Sequence, residues 1–271
     1  MDELVFKVAD VRYSYQDAAA LDGLSFTVGA GEKLALLGAN GSGKSTLLKM
    51  LDGLIFPSEG SVTAFGRELS EASLQDEAFS QAFRRRVGFV FQNSDAQLFS
   101  PSVWEEIAFG PLHLGLPRQE VETRVEDMLH ILGLGHLRDR PPYHLSGGEK
   151  KKVALASVLA VGPEVLLFDE PTAGLDPKTE SFLIQMIDEL NSAGKTIITA
   201  TQDLKLAGAI ADRALVLGED HRLAGEGMSH DILEDRELLL AANLIHIHTH
   251  RHDGIEHDHP HSHVEGHDHQ H

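Results

Sequence analysis

The octapeptide Gly38-Ala39-Asn40-Gly41-Ser42-Gly43-Lys44-Ser45 lies between two apolar runs, KLALL at 33–37 and TLLKML at 46–51. The first run reads as a buried strand and the second as a helix. The spacing G-x-x-x-x-G-K-[ST] in that setting is a phosphate-binding loop. Its glycines let main-chain N–H groups close round phosphate oxygens. The following helix turns its N–H groups and the positive end of its dipole toward the same anion. Gly38, Asn40, Gly41, Ser42, Gly43 and Thr46 are the candidate cradle. Lys44 would reach the β- and γ-phosphates, and Ser45 would offer its hydroxyl to Mg2+.

Outward from this loop, Val165-Leu-Leu-Phe-Asp169-Glu170 puts two acids behind four apolar residues. Asp169 falls at the C-terminal end of a strand, where open α/β sheets bind ligands. It is the candidate Mg2+ holder, and Glu170 is the candidate base for an attacking water. Between loop and acids, Leu145-Ser146-Gly147-Gly148-Glu149-Lys150 reads as a capped helix start, with Ser146 as N-cap and two glycines leaving the first N–H groups open. Strands are expected at 4–15, 24–28, 33–37, 87–91, 165–169, 196–201 and 213–217, and helices over 44–52, 104–137 with a Gly-Leu-Pro break, 147–161 and 179–191. Strands alternating with helices predict an α/β domain with a largely parallel sheet.

The set LSGGE, the phosphate loop, Phe168-Asp169-Glu170 and Ala173-Gly174-Leu175-Asp176 resembles the ATP-binding-cassette ATPases over residues 3 to about 225. The resemblance implies a P-loop NTPase cassette with a RecA-like core, an N-terminal antiparallel β subdomain and an inserted α-helical subdomain. The cassette would span 3–245, with the helical lobe at about 93–160. It also implies a homodimer that sandwiches ATP and Mg2+, the Ser146, Gly147 and Gly148 of one chain covering the γ-phosphate held by the other. Tyr15 would stack on adenine, with Tyr13 as the rival. Gln92 would contact Mg2+ and the attacking water, and Asp176 would lie at the dimer interface. Two positions depart from the family pattern. Glu149 stands where Gln is usual, and is expected to point away from the phosphates or to pair with Lys150 or Lys151. Gln202, in Thr201-Gln202-Asp203, stands where the family has His. Its amide can donate to a γ-phosphate oxygen, but it cannot carry charge or shuttle a proton. Glu170 and Gln202 are the candidate catalytic pair.

Residues 91–114, FQNSDAQLFSPSVWEEIAFGPLHL, are similar to the cassettes of energy-coupling-factor importers, as are KKVALA at 151–156 and the opening SYQDAAALDGLSF at 14–26. That resemblance implies transmembrane coupling and substrate-binding subunits as partners, and a peripheral place on the cytoplasmic face of the membrane. Phe99, Val103 and Trp104 are candidate anchors for a partner helix, with packing inside the lobe as the alternative for Trp104.

Composition narrows the field. The 271 residues carry no cysteine, so disulfides and thiolate sites are excluded, and a net charge of −19 disfavours nucleic acid as partner. The longest uncharged apolar run, Val153 to Gly162, is short for a membrane span. The acidic opening MDELVFKVAD does not look like a signal peptide. Beyond 245 the composition shifts abruptly: His246, His248, His250, His252, His257, His259, His261, His263, His267, His269 and His271 alternate with polar residues. This stretch, 246–271, is expected to be a disordered tail, since it has little apolar surface to bury. Neutral imidazoles suit Ni2+, Co2+ and Zn2+, and the tail resembles His-rich segments of nickel- and cobalt-handling proteins. An affinity tag or a plain solvated tail are the alternatives. The expected function is the ATP-hydrolysing subunit of an importer for nickel or cobalt. A vitamin-type importer and a nickel metallochaperone NTPase are the rivals.

Overall fold

The computed structural model describes residues 3–252 and 255–262, with side chains through 246. Along the chain the elements are β1 (Leu4–Tyr15), β2 (Ala18–Gly29), β3 (Lys33–Gly38), α1 (Lys44–Leu51), β4 (Glu59–Ala64), β5 (Arg67–Glu68), α2 (Glu71–Leu74), α3 (Glu77–Arg86) and β6 (Val87–Val90). There follow α4 (Val103–His113), α5 (Arg118–Ile131), α6 (Gly147–Leu159), β7 (Val165–Asp169), α7 (Pro177–Ser192), β8 (Thr196–Thr201) and α8 (Leu204–Ile210). The chain continues through β9 (Arg213–Leu217), β10 (Leu223–Met228), α9 (Ser229–Glu234), α10 (Arg236–Ala241), β11 (Ile245–His252) and β12 (Ile255–Ser262).

Two compact units divide the chain, one of residues 1–29, 33–68 and 199–271, the other of 30–32 and 69–198. The division cuts β8 between Ile198 and Thr199. The first unit holds a four-stranded sheet in the order β2-β1-β4-β5, antiparallel throughout. Val5, Phe6, Val8 and Val11 of β1 and Leu21, Leu24, Phe26 and Val28 of β2 are buried, with Phe6, Val8 and Val11 in register with Val28, Phe26 and Leu24. The same unit carries the strand order β10-β9-β3, with β3 and β9 parallel. Strand β3 is apolar and buried from Leu34 through Leu37, as expected of a strand covered on both faces. Ala35 and Leu37 of β3 pack with Ala214 and Val216 of β9, Ala207 of α8, Ile232, Leu239, Leu244 and Ile245. This core fixes the end of β3, and so the phosphate loop that leaves it.

The second unit holds β6 and β7 as parallel neighbours, from Val87↔Val165 to Val90↔Phe168. All five residues of β7 are buried, which leaves Asp169 at the strand's end only 5% exposed. Helices α4, α5 and α6 lie in this unit. Elements β4 to α3 carry no strong sequence pattern. Helix α3, EAFSQAFRRR, buries only Phe83. At the C-terminal end, β11 and β12 pair antiparallel through their backbones, with His246 opposite His261, His248 opposite His259 and His250 opposite His257. Sequence composition suggested no regular structure there; a hairpin satisfies its backbone groups through the cross-strand ladder rather than through a core. His263, His267, His269 and His271 lie outside the described residues.

Candidate functional site

In the first unit the phosphate loop is shaped by steric necessity. Gly43 has φ 112°, and a Cβ there would stand 2.3 Å from the Ala20 carbonyl oxygen. Only glycine accepts both constraints. Helix α1 starts at Lys44 with no side chain capping it, so its opening turn is left to a ligand. The Lys44 ammonium donates to the carbonyl oxygens of Gly38 at 2.7 Å and Ala39 at 3.1 Å. It therefore braces the loop from inside, at 5% exposure. The buried Ser42 hydroxyl has no protein partner. Ser45 is half-buried and Thr46 buried, while Asn40 and Gly41 are open to solvent. This loop fits the triphosphate that its sequence implies.

Tyr15 ends β1 opposite Ala18, at the hairpin whose β2 arm brings Ala20 against Gly43. Its ring is 46% exposed and stands edge-on to Tyr13, centroids 5.0 Å apart. An exposed aromatic beside the loop suits base stacking. Gln202 lies beyond β8, half-buried, and lines a polar pocket with Ala39, Asn40, Glu219 and Asn243. Asn243 donates to Glu219 there at 2.8 Å. His221 brings its ring Nδ1 to 3.4 Å from the Ser42 carbonyl oxygen. No sequence motif marks it, because its approach depends on the β9–β10 turn.

In the second unit Ser146 caps α6. Its hydroxyl and the Glu149 main-chain N–H pair at 3.4 Å, and the Glu149 carboxylate accepts the Ser146 N–H at 2.8 Å and its hydroxyl at 2.7 Å. These Ser146 hydrogen bonds hold the Glu149 carboxyl below its ordinary value. Glu149 thus binds back to its own helix start, and the expected pairing with Lys150 or Lys151 does not occur. Lys150 pairs instead with Asp95 at 2.6 Å. The ammonium of Lys151 donates to Phe91 O at 3.0 Å and Gln92 O at 3.4 Å. Burial pushes Lys151 down to about 8, against the pull of Asp169. Gly147 has open space where a Cβ would be, whereas Gly148 lies against Thr179, 3.3 Å from its hydroxyl. Asp176 caps α7 through the N–H groups of Lys178 and Thr179 and takes the Thr179 hydroxyl at 2.6 Å. The Thr179 hydroxyl bond is the main reason its carboxyl lies below the ordinary value. Glu170 follows β7 at φ 42°, in the left-handed region that costs a non-glycine residue about 1–3 kcal/mol. This strained backbone position falls on the candidate base. Gln92 is exposed just past β6.

The lobe carries an open groove lined by Phe99, Pro101, Trp104, Phe109 and Leu112 among others. Phe99 is 66% exposed and stands edge-on to Phe109 at 4.8 Å. Its loop is held by Glu106, a buried carboxylate that accepts the N–H groups of Phe99 at 2.9 Å and Ser100 at 2.7 Å. Val103, expected as an anchor, is wholly buried and belongs to the lobe's own core. Phe109 and Leu112 take its place on the surface. Trp104 is half-buried, and its indole N–H is enclosed without a partner. Among the described residues no group of three or more His, Asp or Glu is gathered for a metal ion, and no helix is long and apolar enough to cross a membrane.

Residues 21–173 match the ABC transporter family model. A putative ABC transporter ATP-binding protein of Methanosarcina acetivorans is 51% identical over 89% of this chain and 89% of its own length. The nickel import ATP-binding protein NikO of Rhodobacter capsulatus is 49% identical over 89% of this chain and 95% of its own. Among solved structures, CbiO1 of Clostridium perfringens, part of the ABC transporter complex CbiONQ, superposes with a TM-score of 0.75 at 36% identity, covering 90% of this chain and 96% of that one.

Proposed function

The chain belongs to the ABC transporter family, and from that premise we propose that it is the ATP-hydrolysing subunit of an energy-coupling-factor importer for a transition metal, nickel or cobalt. The observation that carries this reading is the joint presence of an importer-type lobe with an exposed Phe99–Phe109 groove and a run of eleven histidines after the cassette. The similarity to a nickel import subunit supports it.

Each residue has a task in this reading. The main chain of 38–46 and the Lys44 ammonium receive the phosphates, and Tyr15 receives the adenine. Ser45, Asp169 and Gln92 would hold Mg2+, which neutralises phosphate charge when bound. Glu170 takes the proton of the attacking water. Gln202 donates an amide N–H to the γ-phosphate, so turnover proceeds without a cationic partner at that position. Ser146, Gly147 and Gly148 cover the phosphates of a second copy, and Asp176 lies at that dimer interface. The open space at Gly147 supports such an approach. The groove receives an apolar helix of a membrane subunit, which would keep the chain peripheral on the cytoplasmic face.

The tail would hold the cargo metal, as buffer or sensor, through His246, His248, His250, His252, His257, His259, His261, His263, His267, His269 and His271. Alternate residues of a strand share a face. The backbone register of His246, His248 and His250 against His261, His259 and His257 supports multidentate binding.

Purified Glu170→Gln should lose hydrolysis by about 100-fold or more and dimerise stably in ATP. Undiminished turnover would exclude Glu170 as the base. A chain ending at 245 should lose nickel binding in equilibrium dialysis; equal binding by both chains would remove the tail's role.

A further inference from the structure

The segment after β6 is fastened to α6 by an unusual set of polar ties. Lys151, on the first turns of α6, is 6% exposed, yet its ammonium is directed to two main-chain carbonyl oxygens, Phe91 O at 3.0 Å and Gln92 O at 3.4 Å. Gln97 makes a second tie. Its Oε1 accepts the Phe91 N–H at 3.2 Å, and its Nε2 donates to the Ala154 carbonyl oxygen of α6 at 3.1 Å. Lys150 and Asp95 form a third, at 2.6 Å. A buried ammonium is costly unless its hydrogen bonds are met, and apolar packing would fasten a loop as firmly. Hydrogen bonds differ from packing in being directional. These grip the main chain on both sides of the Phe91–Gln92 peptide while the Gln92 side chain stays exposed.

We propose that Lys151 and Gln97 are positioning residues that hang the 91–97 segment from α6, the helix opened by the signature segment Leu145-Ser146-Gly147-Gly148, so that the Gln92 side chain is placed by, and travels with, Ser146-Gly147-Gly148. The hydrogen bonds shown for both residues go to main-chain groups. The inference rests on the reading of Gln92 as the group that meets Mg2+ and the attacking water. The position of the signature segment is thereby transmitted to the hydrolytic water through two side chains rather than through loop closure alone.

The test uses the purified full chain and four variants: Lys151→Met, Lys151→Arg, Gln97→Ala and Gln92→Ala. Methionine keeps the length and apolar stem of lysine and removes its donors; arginine restores donors. Amide hydrogen exchange of 91–97 should speed up about 10-fold or more in Lys151→Met and Gln97→Ala, a factor of ten being about 1.4 kcal/mol of lost tethering, with exchange in β7 unchanged. The Mg2+ concentration for half-maximal hydrolysis should rise in both, as in Gln92→Ala, while ATP affinity without Mg2+ stays at the wild-type value. Lys151→Arg should recover most of the shift. Unchanged exchange in 91–97, or a Mg2+ dependence shifted by Gln92→Ala alone, would overturn the tether. If Gln92→Ala leaves Mg2+ dependence unaltered, the role of Gln92 itself fails, while the exchange data still decide the tether. Should Lys151→Met not fold, Gln97→Ala carries the same two readouts.

Discussion

Single side chains explain why the two departures from the family pattern are tolerated. Glu149 completes a capping box with Ser146, a geometry that glutamine makes equally well. Glu149→Gln should leave the melting temperature unchanged, whereas Glu149→Ala should cost about 0.5–1 kcal/mol, typical of losing a helix-start bond. Thermal unfolding of the two variants checks this, and equal losses would refute the box. Lys151 gives a pH signature. A lysine held near 8 when folded and near 10.5 when unfolded binds its proton more tightly in the unfolded chain. The penalty for its charge is present below about pH 8 and fades as pH rises. Stability should therefore increase between about pH 8 and 10.5, with a slope of up to about 1.4 kcal/mol per pH unit. Urea unfolding of metal-free wild type against Lys151→Met isolates the term, since other lysines and tyrosines are common to both. Parallel pH profiles would contradict it. Gln202 lines a pocket whose other polar residues are Asn40, Glu219 and Asn243.

At the level of elements, sequence legibility follows burial. Runs covered on both faces, LALL at 34–37, VLLFD and TIITAT, are unmistakable because every residue in them is buried. RALVL at 213–217 reads as the strand it forms, whereas segments 59–86, 204–210 and 223–241 are illegible. Their elements are short, and α3 buries one side chain, so tertiary contacts rather than periodicity define them. The same reasoning separates anchors from core in α4. Sequence could not tell Val103 from Phe99, since both are apolar residues in one run. Folding buries Val103 completely and leaves Phe99 66% exposed. Val103→Ala should destabilise the lobe by about 2 kcal/mol. Phe99→Ala should leave both stability and hydrolysis by the isolated chain intact, and instead weaken co-purification with its membrane subunits. Denaturant titration and pull-down from detergent extracts distinguish the two. A destabilised Phe99→Ala with normal co-purification would place that ring in the core after all.

On the scale of the whole molecule, the phosphate loop, the acids after β7 and the signature helix were all legible because each is a local pattern with a local physical reason. What could not be read were contacts that follow from no motif: His221 at the Ser42 carbonyl and the Lys151 and Gln97 ties of α6 to the 91–97 segment, which join distant segments, and the Glu106 clasp under Phe99, which depends on how its loop folds back. The tail joins the cassette at Leu244 and Ile245, which pack in the core that also supports β3. Its root is therefore anchored on the phosphate-loop side of the first unit. In the proposed function, ATP hydrolysis by this chain drives import of nickel or cobalt. The most direct measurement is accumulation of each metal by cells expressing the chain with its native membrane partners, compared with cells carrying Glu170→Gln. Accumulation of one of the two metals that is abolished by Glu170→Gln is the predicted result. Accumulation of neither metal, by cells in which the wild-type chain hydrolyses ATP, would contradict the account.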